Sequence, residues 1–223
     1  MSASAGVWRQ SLAKAARLRA FETATTPFEP ATARAEIDSP LAQLVRQLFF
    51  AAATARPTGV FFAAAGAETD ICRFNERVGR TLACMSGAPV ALVGRSAVTP
   101  PIMRESRTHS STEFWRSAAN QVTDKLWSVS TEAFQAEIES DRGDGGCELP
   151  FDYVLCGAQV NDSAAPLFSR VCDGAVLVLS ANQTRREAAL RAKEILSSWN
   201  VKLLGAVLDD RKFPVPESIY RRL

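Results

Sequence analysis

Five cysteines and one histidine are the side chains in this sequence that most often bind metals or form disulfides. No two cysteines are spaced as C-x-x-C, their number is odd, and the single histidine is His109. A structural zinc site needs four such ligands at characteristic spacings, and a disulfide framework needs an even set. We therefore expect neither, and we interpret the thiols as buried or incidental groups of a protein in a reducing cytosol. The cysteines are Cys72, Cys84, Cys147, Cys156 and Cys172.

Cationic and apolar residues recur together near the start of the chain. Trp8, Leu12 and Leu18 follow roughly helical spacing beside Arg9 and Arg17. Such a basic amphipathic segment is typical of helices that lie on an anionic membrane surface or dock on a partner protein. Because the apolar face is short and rich in alanine, a weakly ordered tail or a helix packed on its own domain stays open as the alternative.

A second group of this kind lies near the end of the chain. Tyr220 and Arg221 stand among further apolar and cationic side chains in residues 211–223. Tyrosine and arginine are enriched among residues that anchor protein interfaces. We therefore treat this segment as a second candidate partner-binding surface. The alternative is that it packs against the edge of the predicted sheet.

The overall charge gives no reason to expect a nucleic-acid partner. The 223 residues carry 26 basic and 24 acidic side chains, for a formal net charge of +2. Nucleic-acid sites usually show as a broad basic patch. No stretch reaches the roughly 18 to 20 apolar residues of a membrane span, and no signal-peptide pattern opens the chain. The sequence predicts a cytoplasmic protein, with peripheral contact at the inner face of the membrane left open for the N-terminal segment.

The chain divides into an N-terminal extension and one globular domain. Residues 1–38 are rich in Ala, Arg and Thr, and Pro27 and Pro30 interrupt any long helix there. From there onward, short apolar runs alternate with helical periodicity, which predicts a single α/β domain over residues 39–223. The predicted strands are 58–64, 89–93, 125–129, 153–156, 175–179 and 202–208, and the predicted helices lie near 39–49, 71–86, 131–140, 164–171 and 184–199.

Almost wholly apolar strands that alternate with helices indicate a doubly wound, mainly parallel sheet with helices on both faces, of Rossmann type. Residues 59–64, for example, read GVFFAA, as expected of a strand buried on both faces. In this architecture ligands bind at the carboxyl ends of the strands. The loops expected to carry function are therefore 64–71, 94–101 and 157–163.

Sequence signals also predict how some helices begin and end. Gly87 is placed to end the helix over residues 71–86. Thr184 and Glu187 have the spacing of a capping box at the start of the last helix. The stretch between residues 94 and 125 is long and polar, and no strand or helix is assigned within it.

Four segments in the second half of the domain occur in an order known from one protein family. They are FDYVLC at 151–156, VCDGAVLVL at 171–179, TRREA at 184–188 and VKLLGAVL at 201–208. In these segments the chain resembles the kinase domain of bacterial tyrosine autokinases associated with capsule and exopolysaccharide synthesis, which are deviant P-loop ATPases. The similarity extends over most of residues 40–210. It implies a P-loop NTPase-like fold.

The resemblance also implies a phosphate-binding turn after the first strand. In the family this turn is glycine-rich and ends in Gly-Lys-Ser/Thr, whose amides, lysine and hydroxyl hold phosphates and magnesium. The matching residues here are Gly66, Glu68, Thr69 and Asp70, and no lysine lies within residues 56–80. Two acids at this place oppose triphosphate binding, since unit charges about 4 Å apart repel by several kcal/mol at a partly buried site.

Acidic positions that the family carries after two further strands are changed as well. Gly94 and Ser96 stand where aspartates act on magnesium and the attacking group, and Gly157 follows the fourth family strand in place of another. Arg73 or Thr69 could replace one lost group, but three simultaneous losses speak against magnesium-ATP chemistry. We therefore expect no cofactor, no metal and no catalytic residue.

Two features that serve autophosphorylation and assembly in the family are absent from the sequence. The autokinases usually end in a tyrosine cluster, whereas residues 213–223 contain Tyr220 alone. The glutamate and paired arginines that support their ring would fall near residues 40–46, where Arg46 is the one charged residue. Neither autophosphorylation nor the ring is therefore expected.

The resulting hypothesis is a non-catalytic adaptor or regulator in exopolysaccharide or capsule synthesis and export. Its expected partner is a membrane-bound polysaccharide chain-length regulator or export protein, or an active kinase paralogue. Two alternatives stay open. A divergent ATP-dependent tyrosine kinase or ATPase would turn over ATP, and a partition-type binder of membrane surfaces or nucleic acid would show salt-dependent DNA binding or liposome binding.

Overall fold

A computed structural model describes residues 40–51, 57–94, 118–140, 150–181 and 183–209, and the structural statements below concern these residues. They form seven strands and five helices, the first of which continues as a π-helical turn. The strands are β1 Gly59–Ala64, β2 Val90–Gly94, β3 Ala119–Thr123, β4 Leu126–Ser130, β5 Tyr153–Gln159, β6 Gly174–Ser180 and β7 Leu203–Asp209. The helices are α1 Pro40–Val45 with its π-helical continuation Arg46–Phe50, α2 Ile71–Ser86, α3 Thr131–Ser140, α4 Ala165–Val171 and α5 Arg186–Ser198.

The strands form one sheet in the order β3-β4-β2-β5-β1-β6-β7. All neighbouring pairs are parallel except β3 and β4, which are antiparallel. Every residue of β1 is buried, because β5 and β6 flank it and helices cover both faces. The predicted doubly wound, mainly parallel sheet is therefore confirmed.

Each face of the sheet carries its own hydrophobic core. Side chains alternate along β1, so Phe61 points to one face and Phe62 to the other. Phe61 packs edge to face with Phe168 of α4, in a core that also includes residues of α3 and α5. Phe62 packs in the same way on Phe74 of α2, in a core that includes residues of α1. The two cores fix β1 and β5 at the centre of the domain.

Helix α2 follows β1 and shows how the sequence sets its ends. Phe74, Val78 and Leu82 recur every four residues and are all buried, which gives the apolar stripe that packs on the sheet. Gly87 ends the helix with φ +65°, and its N–H donates to Ala83 O at 2.9 Å. A left-handed residue at this place favours glycine, as the sequence predicted.

The sequence missed one strand, and one local expectation from it is wrong. Residues 119–123 form β3, an antiparallel edge strand paired with β4, in a polar stretch to which no element was assigned. The capping box at the last helix is absent, because Thr184 Oγ1 accepts the Ser180 N–H at 2.9 Å and Arg185 precedes the helix without a side-chain cap. In both cases a contact made in the folded chain outweighs the local pattern.

The remaining side-chain expectations fall partly outside the described residues. Cys156 and Cys172 are buried and Cys72 and Cys84 are exposed. Cys147 lies beyond the described ranges, as do the two candidate partner-binding segments. Within the described ranges, none of the helices combines the length and apolar character needed to cross a bilayer.

Candidate functional site

An open cavity of about 440 Å³ lies at the carboxyl edge of the sheet. Its walls are formed by the loop after β1, the start of α2, the start of α3 after β4, and the end of β5 with the loop that follows it. This is the edge where ligands bind in doubly wound sheets, and two of the three loops predicted to carry function meet there. The lining residues are Ala67, Glu68, Thr69, Asp70, Ile71, Cys72, Thr131, Glu132, Gly157, Ala158, Gln159, Asp162, Ser163 and Ala164.

The loop after β1 is closed by its own contacts. The Thr69 N–H donates to Gly66 O at 3.3 Å, so the chain makes a tight turn between these residues. The Glu68 carboxylate folds back over this turn, because a Cβ atom added at Gly66 would lie 2.7 Å from Glu68 Cδ. A carboxylate thus lies against the one glycine of the loop.

A second carboxylate occupies the N-terminus of α2. Asp70 Oδ1 accepts the Arg73 N–H at 3.0 Å, and Asp70 O accepts the Phe74 N–H at 3.0 Å. Free N–H groups and the positive end of the helix dipole make a helix N-terminus attractive to phosphate. Here the side chain of Asp70 already serves as the anion. Arg73 is exposed on the first turn and does not line the cavity.

The two glycines at the ends of β2 and β5 are neighbours across the sheet. Gly94 pairs with Gly157 in the parallel register, and a Cβ atom added at Gly94 would lie 2.9 Å from Gly157 O. A Cβ atom at Gly157 would lie 3.0 Å from Asn75 Nδ2. Buried Asn75 holds this place by donating from Nδ2 to Leu155 O at 3.1 Å. Neither position has room for a carboxylate without movement of its neighbours.

The lining combines acids with one buried hydroxyl that has no hydrogen-bond partner in the described residues. Glu68, Asp70, Glu132 and Asp162 line the cavity, and no lysine or arginine is among its described lining residues. Thr69 is 5% exposed, and its Oγ1 has no hydrogen-bond partner within the described ranges. An unsatisfied buried polar group costs about 1–3 kcal/mol. The described lining is therefore rich in acceptors and contains no cationic side chain.

The structure brings together six of the seven residues predicted at the phosphate loop and the acidic positions. Gly66 belongs to the turn beneath the lining, and Glu68, Thr69, Asp70 and Gly157 line the cavity. Gly94 lies next to Gly157. Ser96 lies outside the described residues, together with Trp8, Arg9, Leu12, Arg17, Leu18, Tyr220 and Arg221.

Sequence reasoning missed three residues of the site. Asp162 falls in the predicted loop 157–163 and is a lining residue, so its acidic type was a usable signal. Glu132 lies in the first turn of α3, where Ser130 Oγ accepts the Ala133 N–H at 3.1 Å and caps the helix. Asn75 is an isolated polar residue on the buried face of α2, and a polar residue inside an apolar stripe was the available signal.

The arrangement does not fit a magnesium nucleotide. A triphosphate site needs several N–H donors and at least one cation at the loop, together with a carboxylate or hydroxyl that holds the metal. The described lining offers acids and no cation. Within the described ranges, no three His, Cys, Asp or Glu side chains are grouped to hold a metal ion. We therefore derive no catalytic step through this site.

Comparison with known proteins places the fold. No protein-family model matches the chain. The tyrosine-protein kinase YwqD of Bacillus subtilis (strain 168) is 44% identical over 48 residues, which is 22% of this chain and 20% of that protein. The match thus spans about a fifth of the length of this curated relative.

Solved structures, two of them kinase domains, match over most of the chain. The VpsO kinase domain has a TM-score of 0.57 and 13% identity, over 81% of this chain and 95% of that chain. The kinase domain of the Escherichia coli tyrosine kinase ETK has a TM-score of 0.51 and 15% identity, over 92% and 89%. The chimeric protein CapA2B2 has a TM-score of 0.59 and 14% identity, over 82% and 90%. The resemblance to bacterial tyrosine kinases is therefore confirmed, and the P-loop NTPase-like fold is the one their kinase domains share.

Proposed function

We propose that this chain is a non-catalytic adaptor or regulator built on the fold of a bacterial tyrosine kinase domain. We further propose that it acts in exopolysaccharide or capsule synthesis and export, the pathway that the family resemblance implies. Its partner is a membrane-bound polysaccharide chain-length regulator or export protein, or an active kinase paralogue.

One observation carries the non-catalytic part of the proposal. The Asp70 carboxylate accepts a hydrogen bond from the N-terminus of α2 at 3.0 Å, where a phosphate group would otherwise accept. The Glu68 carboxylate against Gly66 strengthens this argument, because it adds a second negative charge to the same loop. Asn75 packed on Gly157 supports it further, since it fills the space that a metal-binding side chain would need.

Calorimetry with magnesium-ATP tests this part of the proposal. We expect no saturable heat at concentrations where an intact tyrosine kinase domain, used as the positive control, is saturated. The physical reason is the repulsion between the acids of the loop and the triphosphate, which no cation of the described lining offsets. Micromolar binding of ATP or ADP would contradict the proposal. It would favour the divergent kinase or ATPase, with Arg73 and Thr69 as the residues to replace next.

The adaptor part of the proposal needs a docking surface. We assign it to the N-terminal segment around Trp8, Leu12 and Leu18, with Arg9 and Arg17, and we treat Tyr220 and Arg221 as the second candidate. Aromatic and arginine side chains commonly anchor interfaces. The N-terminal segment also provides for peripheral contact with the membrane.

A truncation tests this assignment. Deleting residues 1–22 should leave the melting temperature nearly unchanged, because we assign this segment to an extension outside the α/β domain of residues 39–223. The same deletion should release the protein from the membrane fraction or from its partner. A matched variant with Arg9 and Arg17 replaced by glutamine separates electrostatic from apolar anchoring. A truncated protein that stays fully associated would refute the role of the segment.

A further inference from the structure

The cavity at the carboxyl edge of the sheet presents acids where a nucleotide site presents cations. Glu68, Asp70, Glu132 and Asp162 come from three separate segments and all line it. Ionised carboxylates accept hydrogen bonds and donate none. A ligand that suits this lining must therefore bring positive charge and several N–H donors.

Thr69 gives an independent indication of a polar ligand. It lines the cavity, it is 5% exposed, and its Oγ1 lacks a hydrogen-bond partner within the described ranges. Buried polar side-chain atoms without a hydrogen-bond partner are uncommon in folded proteins. The Thr69 hydroxyl can both accept and donate hydrogen bonds, so its lack of a partner favours a polar ligand in this cavity.

The spread of the acids favours an organic cation over a metal ion. No three potential metal ligands are grouped in the described part of the chain. The cavity volume of about 440 Å³ falls within the roughly 300–1,000 Å³ range of small-ligand pockets. A guanidinium group carries five N–H donors in a planar fork that pairs with carboxylates. An alkylammonium group offers the same charge with three donors.

We propose that this cavity binds a guanidinium or alkylammonium cation, carried by an arginine or lysine side chain of a partner polypeptide or by a free amine. If the cation belongs to a partner polypeptide, the cavity is a binding site for one basic side chain of that partner. This inference goes beyond the proposed function, because it concerns the chemistry of the cavity and holds in any pathway.

Amide NMR shifts of the full chain, titrated with agmatine, test the proposal. Saturable shifts are expected at Glu68, Thr69 and Asp162. Glu68→Gln and Asp162→Asn should each weaken binding by about two- to five-fold, the loss expected for one exposed ion pair. Glu194→Gln, at an exposed position of α5, is the matched control and should leave the affinity unchanged. The melting temperature of each variant checks that the fold is retained.

The source of the cation is decided by a second titration with a short oligoarginine peptide. Shifts of the same amides, with displacement by agmatine, support a basic side chain of a partner. Agmatine binding without peptide binding supports a free amine. No saturable shift with either probe, or equal weakening by Glu194→Gln, overturns the proposal. Magnesium-ATP calorimetry is a separate measurement, so failure of this inference and failure of the proposed function can be told apart.

Discussion

Strand β1 and the loop that follows it are adjacent in the chain and differ in almost every physical respect. All residues of β1 are buried, and their side chains pack into the two cores on opposite faces of the sheet. In the loop, Ala67, Glu68 and Asp70 are exposed, and Thr69 alone is buried. Packing constrains the strand, whereas the loop contributes little to the cores. The fold therefore depends on the residues of the strand far more than on the residues of the loop.

Among the substitutions that test this difference, removal of a core side chain from β1 should lower the free energy of unfolding the most. Phe62 is fully buried and packs on Phe74 with ring centroids 5.5 Å apart. Phe62→Ala should lower the free energy of unfolding by about 3–5 kcal/mol, because it leaves a cavity in the core. Urea denaturation followed by circular dichroism measures this.

The matched controls for that variant lie on the same sheet and in the loop. Leu208 of β7 is 54% exposed, and Glu68 is exposed. Leu208→Ala and Glu68→Gln should each change the free energy of unfolding by no more than about 0.5 kcal/mol. Similar losses for the buried and exposed positions would contradict the division between strand and loop.

Placing a carboxylate at Gly157, near the end of β5, should lower the free energy of unfolding by the next largest amount. Gly157→Asp brings a Cβ atom to 3.0 Å from Asn75 Nδ2 and buries a charge without a partner. The expected loss in the free energy of unfolding is about 2–3 kcal/mol. Gly157→Ala is the control, because it adds the steric contact without the charge.

A double-mutant cycle identifies the cause of the Gly157→Asp effect. If Asn75 fills the space, Asn75→Ala should reduce the cost of Gly157→Asp, and the interaction energy should fall in the range of about 0.5–3 kcal/mol found for residues in contact. Strict additivity of the two substitutions would show that Asn75 does not oppose a carboxylate at this position.

Removing the N-cap of α2 at Asp70 should have a smaller effect on the free energy of unfolding. Asp70→Ala removes the acceptor of the Arg73 N–H, and loss of an N-cap costs about 1 kcal/mol. Asp70→Asn keeps an acceptor oxygen at the cap, so its cost should be a few tenths of a kcal/mol. If both variants lose the same stability in urea denaturation, charge matters more than the hydrogen bond.

The smallest effect on the free energy of unfolding is predicted for Asp152, which directly precedes β5 at the amino end of the strands, opposite the cavity. Burial raises the pKa of Asp152, so its charged form is disfavoured in the folded state. The stability linked to this group is present below its unfolded pKa and is lost as pH rises through the folded pKa. Asp152→Asn should therefore be slightly more stable than the natural chain at neutral pH, by no more than about 0.5 kcal/mol because the group is only partly buried.

Urea denaturation at neutral and acidic pH checks the Asp152 prediction. The gain from Asp152→Asn should disappear at acidic pH, where the natural side chain is also neutral. Asp124→Asn, in the exposed turn between β3 and β4, is the control and should show no such pH dependence. A gain that is equal at both pH values would exclude desolvation as the cause.

The sequence by itself determined the framework of this protein. Apolar runs such as 59–64 and the four-residue stripe of α2 report burial directly, since one strand or helix face must be apolar to pack. Gly87 likewise marks the end of α2, because a left-handed residue favours glycine. These signals are local in the chain, and for this reason the predicted strands and the mainly parallel sheet agree with the structure.

Only the tertiary structure decided which loop residues meet. The sheet order places β5 beside β1, and β2 alone lies between β5 and β4. The loops after these strands bring Glu132 and Asp162 to the same cavity as Glu68. Strand β3 was missed for a similar reason, since its pairing with β4 stabilises a polar segment with no apolar period. Contacts between residues far apart in the chain depend on strand order and register, which the local pattern of side chains does not encode.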